Sequence, residues 1–399
     1  MQCVVLAAGE GKRMRPLTAK RPKVMLPIAN RPMMEHLVLA VRDAGISDFI
    51  FVVGYGEREI RSHFRDGGPY GVRIAYVTQR NQLGTADALR TASGMVSGRF
   101  LLLNGDMILR TNDIERICRM DAPCMAVYPT EHPEDYGVVT LEGDRIASLE
   151  EKSDRPRTNL INAGAYLLDA DIFDLLKGIT ISGRGEFELT DALLGYISEQ
   201  GLKACLLDYW LDVGQPWDLL DANEALLATI AHEQRGSVEA GVTLSPAVTI
   251  GEGSVIRSGT YIEGACAIGE NCIIGPHAYI RGSTSIGDNC HIGHAVEIKN
   301  SIIMPGTKIP HFNYVGDSVI GCGCNFGAGT KIANLRHDRG PVKVCGRNTG
   351  RKKFGAIVGD GVQFGINCSV NVGSVIGSNA RIAPHSLVEG CFEDDTVIR

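Results

Sequence analysis

"IGENCIIGPHAYIRGSTSI", residues 268–286, places isoleucine at 268, 274, 280 and 286. The same six-residue beat runs back through Ile262 and Ile256 to Ile250 and forward through Ile292 to Ile298. An apolar residue at every sixth position, often with glycine next and a small residue four later, predicts a parallel β-helix of hexapeptide repeats. Successive coils then lie one strand spacing apart, about 4.8 Å. A second run marks Val358, Phe364, Val370, Ile376, Ile382 and Val388. Forty-eight of the 399 residues are glycine, against a usual share of about 7%, and most of the excess follows residue 240. Cys272 and Cys290 occupy the small-residue slot of the repeat, and the Cys322-x-Cys324 pair lacks the second pair that a zinc site requires.

This solenoid resembles left-handed β-helix proteins, and the resemblance implies triangular coils of eighteen residues. At that period Arg281 and Lys299 stack on neighbouring coils. Two cations so close repel each other. Either a bound anion such as a sugar phosphate lies beside them, or Glu263 and Glu297 pair with them in a salt-bridge ladder. The beat then fails at "KIPHFNYVG", residues 308–316, which predicts a backbone excursion carrying His311 and Tyr314 out of the coil wall. A histidine there suits a general base that removes a proton from an amine. A second interruption, from Asn334 to Gly355, is a basic loop suited to an anionic acyl carrier such as coenzyme A.

The first half alternates apolar runs with amphipathic stretches, which predicts a Rossmann-like α/β domain: a parallel sheet with helices on both faces. Strands are expected at 2–7, 49–53, 73–77 and 100–104, with a helix from Met33 to Ala44. Ligands in such folds bind at the carboxyl ends of the strands. The loops after Ala7, Val77 and Asn104 are therefore the candidates. In the first, Leu6 to Pro27, Gly9 and Gly11 can turn backbone amides inwards as an anion nest. Lys12, Arg13, Arg15, Arg21 and Lys23 add five cations, a density that suits a polyphosphate. In the second, Gln79, Gln82 and Gly84 offer groups that can read a base edge, and Thr85 is placed to cap the following helix. In the third, Asp106 just past an apolar strand suggests Mg2+ held by one or two acids and by substrate oxygens. Asp212, in "YWLDVGQPW", is the second candidate acid.

The segments "LAAGEGKRMRPLT", "RPKVMLP", "QLGTADAL", "LLLNGD", "LEEKSDRP", "INAGAYLL" and "WLDVG" resemble, in order, the motifs of sugar-1-phosphate nucleotidylyltransferases. The resemblance implies that Arg13 and Lys23 hold a triphosphate. It puts Leu6, Ala7, Gly9, Gln79, Gln82, Gly84 and Thr85 on the nucleotide, and Asp106 and Asp212 on Mg2+. Gly137, Glu151, Lys152 and Asn162 would hold the sugar phosphate. In the second half, Arg281, Lys299, His311, Tyr314, Asn325 and Asn334 recur at the spacing of the acetyltransferase half of the bifunctional uridyltransferase and glucosamine-1-phosphate acetyltransferase family. That likeness implies His311 as base, Arg281 and Lys299 on phosphate, Tyr314 and Asn334 on the amino sugar, and Asn325 near the acetyl group. "NLRHD" and "KKFGAIVGD" look like the archaeal form, in which Lys343 faces substrate; Lys353 matches the bacterial pattern loosely.

These observations predict a nucleotidylyltransferase domain over 1–225, a linker helix over 226–240 and a left-handed β-helix acetyltransferase domain over 241–399. UTP, sugar-1-phosphates and acetyl-CoA are the expected substrates, with Mg2+ as cofactor. Family members resemble trimers with sites shared between subunits, so a closed homotrimer or a multiple of it is expected. The net charge of −6 argues against nucleic acid as partner. No apolar run approaches the roughly 18 residues that span a bilayer. The start "MQCVVLAAGEG" lacks the basic stretch of a signal peptide, which predicts a cytoplasmic protein with reduced thiols. Two other readings share these folds: a monofunctional sugar-1-phosphate nucleotidylyltransferase with a passive or regulatory solenoid, and a non-catalytic exchange-factor subunit of translation initiation. His311 with Arg281, Lys299 and Tyr314 argues against the first; Arg13, Lys23, Asp106 and Asp212 together argue against the second.

Overall fold

The computed structural model describes residues 1–399 and divides into two compact units. One comprises Met1–Glu10, Arg21–Met25 and Met33–Asp212; the other comprises Gly11–Lys20, Leu26–Pro32 and Val213–Arg399.

The first unit is built on a nine-stranded sheet. Its order is Arg73–Thr78, Asp48–Val53, Gln2–Ala7, Phe100–Asn104, Leu160–Leu168, Cys124–Pro129, Lys203–Leu206, Arg145–Glu151 and Gly137–Glu142. The first four strands pair in parallel. The inner three are near-continuous apolar runs because both faces are covered: Val4, Val5, Phe51, Leu101, Leu102 and Leu103 are fully buried, whereas the edge strand Arg73–Thr78 has no buried residue. Beyond Phe100–Asn104 the sheet is mixed, which corrects the all-parallel expectation. Leu160–Leu168 enters antiparallel, and Gly137–Glu142 returns directly into Arg145–Glu151. A connection that short permits only antiparallel pairing. The register Ala7↔Val53↔Thr78 and Leu6↔Asn104 brings the three candidate loops to one edge of the sheet.

The second unit is the left-handed β-helix, whose strands form three parallel faces. Ile250, Ile268 and Ile286 are ladder partners, as are Ile256, Ile274 and Ile292, and Ile262, Ile280 and Ile298. All nine are at most 2% exposed. The six-residue beat is thus the core column of the solenoid.

The break at residues 308–316 has a different cause from the one expected. Lys308–His311 pairs in register with the strand His291–His294, and Tyr314–Gly316 with Glu297–Lys299. Both segments stay in the wall. The coils instead shorten to seventeen residues, with Ile286 opposite Ile303, Ile298 opposite Val315 and Ile303 opposite Ile320. The missing residues come from corners, in the five-residue steps Ile298 to Ile303 and Val315 to Ile320. These tightened corners hold Asn300 and Asp317 at positive φ, 44° and 49°.

The second interruption does leave the coil. The Phe354 amide donates to the Asn334 carbonyl at 3.0 Å, which closes the loop at its base. Within it Lys343–Val344 and Arg347–Asn348 form a small antiparallel hairpin. Cys345 at its tip is joined by a disulfide to Cys391 in a late coil. This corrects the expectation that all thiols are reduced; the other ten cysteines are free. The predicted linker helix lies earlier than expected, at Asp218–Leu227, and residues 226–240 already contain the strands Glu233–Gln234 and Ser237–Val238. Asn223 of that helix is fully buried. It accepts from Ala29 N at 2.9 Å and Ser285 Oγ at 2.8 Å, and donates to the Ser283 carbonyl at 2.8 Å. No helix is long and apolar enough to cross a membrane.

Candidate active sites

In the first unit, Lys23 Nζ lies 2.7 Å from Asp106 Oδ2, with the lysine side chain 9% and the aspartate side chain 34% exposed. Asp106 follows Gly105, whose amide donates to the Leu6 carbonyl at 2.9 Å. A Cβ at 105 would meet that same oxygen at 2.9 Å, so glycine lets this loop close on the first strand. Asp212 is the antiparallel ladder partner of Met107 and therefore stands one residue from Asp106. The two carboxylates fit Mg2+: they are hard oxygen donors, and a cation that keeps waters and takes substrate oxygens needs only one or two of them. No group of three or more potential metal-ligating side chains occurs in the chain.

The second loop is fixed by its own amides. Gln79, 3% exposed, donates to the Gly84 carbonyl at 3.2 Å and to Asp87 Oδ2 at 2.9 Å. Gln82 Nε2 donates to the Gln79 carbonyl at 3.3 Å. Gly84 has φ +111°, and a Cβ there would meet the Phe187 carbonyl oxygen at 2.4 Å. Thr85 opens the helix Thr85–Thr91 without capping it. Its hydroxyl accepts instead from Leu189 N at 3.1 Å, the first residue of Leu189–Glu199. A tertiary donor outcompetes the local one that the sequence suggested. Gly9 has nothing within 4 Å of a notional Cβ, and Leu6 and Ala7 end the first strand. Arg13 sits on the short 3-10 turn Lys12–Met14, after Gly11 at φ 70°, in the segment grouped with the second unit.

The sugar-side residues gather on the mixed half of the sheet. Gly137 and Glu151 are ladder partners, and a Cβ at 137 would lie 3.2 Å from Glu151 Oε1. Lys152 follows at φ 48°, its amide on the Tyr136 carbonyl at 2.9 Å. Asn162 donates to the Tyr166 hydroxyl at 2.8 Å and accepts from Gly164 N at 3.0 Å, at an irregularity of its strand. Desolvation pushes the Glu151 carboxyl above the usual range, while the Arg184 guanidinium pulls it down. Arg184 Nη2 lies 3.5 Å from Glu151 and also pairs with Glu188. The sequence reading missed Arg184 and Glu188, since neither sits in a recognisable motif.

In the second unit, Arg281 and Lys299 do stack, following the pairs Tyr279↔Glu297 and Ile280↔Ile298. Both cations have carboxylate partners in the chain. Arg281 Nη1 is 3.2 Å from Glu297, and Arg281 Nε 3.9 Å from Glu263. Lys299 Nζ lies 2.9 and 3.1 Å from the two oxygens of Asp317. Tyr314 and Asn334 converge: a Cβ at Gly316 would meet the Tyr314 hydroxyl at 2.5 Å and Asn334 Nδ2 at 2.7 Å. Burial, with Asp317 and Glu297 nearby, pushes the Tyr314 hydroxyl above its ordinary value.

The other residues stand on a different face. His311 ends the strand Lys308–His311 opposite His294, and Asn325 continues that face through bridges to Lys308 and Gln363. Lys343 is exposed on the hairpin, next to buried Val344. Asp317 was not among the expected site residues. Lys353 forms a bridge with Leu335 at the foot of the loop.

The fold and the first site define a nucleotidyl transferase. The family profile described as nucleotidyl transferase matches residues 2–229, and the profile described as GMPPB C-terminal domain matches residues 262–393. The chain is 41% identical to the bifunctional protein GlmU of Methanocaldococcus jannaschii, over 100% of this chain and 97% of that protein. It is 39% identical to the bifunctional sugar-1-phosphate nucleotidylyltransferase/acetyltransferase of Sulfurisphaera tokodaii, over 97% of each. A crystal structure of a Bacillus anthracis protein assigned as a glucose-1-phosphate thymidylyltransferase superposes with a TM-score of 0.53 at 28% identity, covering 57% of this chain and 94% of that one. The chain belongs to the family of bifunctional sugar-1-phosphate nucleotidylyltransferase/acetyltransferases.

Proposed function

We propose that the chain makes UDP-N-acetylglucosamine in two steps, with residues 1–225 as the uridylyltransferase domain and 241–399 as the acetyltransferase domain. The observation that carries this reading is that one chain holds both sites: the Lys23–Asp106–Asp212 group and the Lys299–Tyr314–Asn334 group.

In the first step the amine of glucosamine-1-phosphate attacks the thioester carbon of acetyl-CoA. The N–C bond forms, the C–S bond breaks, and coenzyme A leaves as the thiol. His311 takes the amine proton. Arg281 and Lys299 hold the sugar phosphate, Tyr314 and Asn334 orient the sugar, Asn325 lies near the acetyl group, and Lys343 faces substrate. His311 and Asn325 stand on a different face from Lys299 and Tyr314, which supports a closed trimer whose sites are completed by a neighbouring subunit.

In the second step a phosphate oxygen of N-acetylglucosamine-1-phosphate attacks the α-phosphorus of UTP. The new P–O bond replaces the one to the β-phosphate, and pyrophosphate leaves. Arg13 and Lys23 neutralise the triphosphate, and the 79–85 loop with residues 6–9 receives the nucleotide. Gly137, Glu151, Lys152 and Asn162 orient the sugar phosphate, so that catalysis is mainly alignment and charge neutralisation. Asp106 and Asp212 would hold Mg2+, which when bound supplies positive charge to the phosphate oxygens. We place the reactions in the cytoplasm, in keeping with ten free cysteines beside the single Cys345–Cys391 disulfide.

The test is a panel of amino-sugar phosphates and nucleotides, read by thiol release from acetyl-CoA and by pyrophosphate release. Glucosamine-1-phosphate and UTP are expected to be the best pair. Pyrophosphate release without thiol release from any amino-sugar phosphate would instead support a monofunctional nucleotidylyltransferase.

A further inference from the structure

Asp317 is 2% exposed and accepts four hydrogen bonds. Two come from Lys299 Nζ at 2.9 and 3.1 Å, one from Asn300 Nδ2 at 2.9 Å and one from Asn334 Nδ2 at 2.5 Å. Its backbone is equally committed: the amide donates to the Lys299 carbonyl and the carbonyl accepts from Gly355 N, each at 2.8 Å. Asn334 and Gly355 are the two feet of the loop that leaves the solenoid. One residue thus fastens a cation on the coil before it and both ends of the loop after it.

A carboxylate offers about four lone-pair sites, and here all four are taken by protein donors. Asp317 therefore has no acceptor left for substrate, so it does not act on the reacting atoms. A fold-only role does not call for a charge: the equivalent corner of the two preceding coils holds Ser283 and Asn300, both also at positive φ. What the charge does is hold the Lys299 ammonium and the Asn334 amide to one anchor, beside the point over Gly316 where Asn334 and Tyr314 converge.

We infer that Asp317 is the positioning residue of the acetyl-acceptor site, setting Lys299, Asn334 and the base of the 334–355 loop as one preorganised group. This rests on the assignment of that site to acetyl transfer. Asp317→Asn keeps the shape but turns one acceptor into a donor aimed at donors, so the group comes apart.

The experiment measures kcat and KM for thiol release with glucosamine-1-phosphate, using the full chain, and pyrophosphate release on the same preparation. Asp317→Asn is expected to lose about 100-fold in kcat/KM for acetyl transfer with pyrophosphate release unchanged. In double-mutant cycles with Lys299→Gln and with Asn334→Ala, each double variant is expected to retain at least about tenfold more activity than the product of the single losses. Near wild-type acetyl transfer by Asp317→Asn, or strict additivity in both cycles, overturns the inference. If the single variant fails to fold, the charge-balanced Lys299→Gln, Asp317→Asn pair replaces it. That pair is expected to fall less than about tenfold below Lys299→Gln alone, and a further drop of about 100-fold overturns the inference. A wild-type chain that acetylates no amino-sugar phosphate overturns the site assignment and this inference together. A wild-type chain that acetylates, with Asp317→Asn equally active, overturns only the inference.

Discussion

Lys23 and Asp106 form an ion pair at 2.7 Å, with the lysine almost wholly enclosed and the aspartate about one-third open. The partial exposure of the aspartate fits the proposed role of a carboxylate shared between a lysine and a cation. Asp106→Ala is expected to lower pyrophosphate release by about 100-fold or more, the equivalent of some 3 kcal/mol of charge stabilisation. Thiol release from acetyl-CoA should persist in this variant, and also in wild-type protein stripped with a chelator. Undiminished pyrophosphate release in Asp106→Ala would remove this residue from the metal assignment.

His311 sits at a strand end, exposed, opposite His294. Loss of a general base typically lowers turnover by about 100- to 10,000-fold. Acetyl transfer by His311→Ala should fall within that range, with uridylyl transfer retained. If thiol release continues at the wild-type rate, the base lies elsewhere.

Glu151 carries a pH signature. Burial holds its carboxyl above the usual range, and Arg184 opposes that shift. Protonation as pH falls therefore begins above the ordinary glutamate value of about 4.3 and removes the charge proposed to accept from the sugar. The KM for N-acetylglucosamine-1-phosphate should rise on acidification through that inflection. Removing the opposing cation in Arg184→Gln should move the inflection to higher pH, and Glu151→Gln should abolish it. A profile identical in all three proteins would separate Glu151 from sugar binding.

The Cys345–Cys391 disulfide closes a span of 46 residues and ties the hairpin bearing Lys343 to a late coil. In the chain-entropy picture such a closure contributes about 4 kcal/mol. Replacing both cysteines with serine should speed amide hydrogen exchange in residues 343–348 and raise the KM for acetyl-CoA, leaving uridylyl transfer unchanged. Exchange rates equal to those of the oxidised protein would show that packing alone, such as Gly373 against the Lys343 carbonyl, holds the hairpin.

Much of this architecture could be read from local pattern. The six-residue beat fixes the solenoid because each coil repeats the same burial, and a core isoleucine needs no distant partner to declare itself. The parallel strands and the loops after Ala7, Val77 and Asn104 were legible for the same reason. Their apolar runs and glycine-rich connections are contiguous in the chain. The stacking of Arg281 on Lys299 followed from their spacing together with the eighteen-residue coil that the likeness to left-handed β-helix proteins implies.

Tertiary structure decided what depends on residues far apart in sequence. Whether the break near His311 was an excursion or a shortened coil turned on cross-strand register, which only the neighbouring coils impose. Thr85 caps Leu189 rather than its own helix because a distant donor occupies its hydroxyl. Asn334 reaches Asp317 from the next coil, and Cys345 meets Cys391 across 46 residues. The sequence by itself determined the two folds and the chemical type of each site. Which carboxylate anchors Lys299 was decided by corner geometry, because a seventeen-residue coil sets Asp317 directly over Asn300 and turns its side chain inwards among three donors.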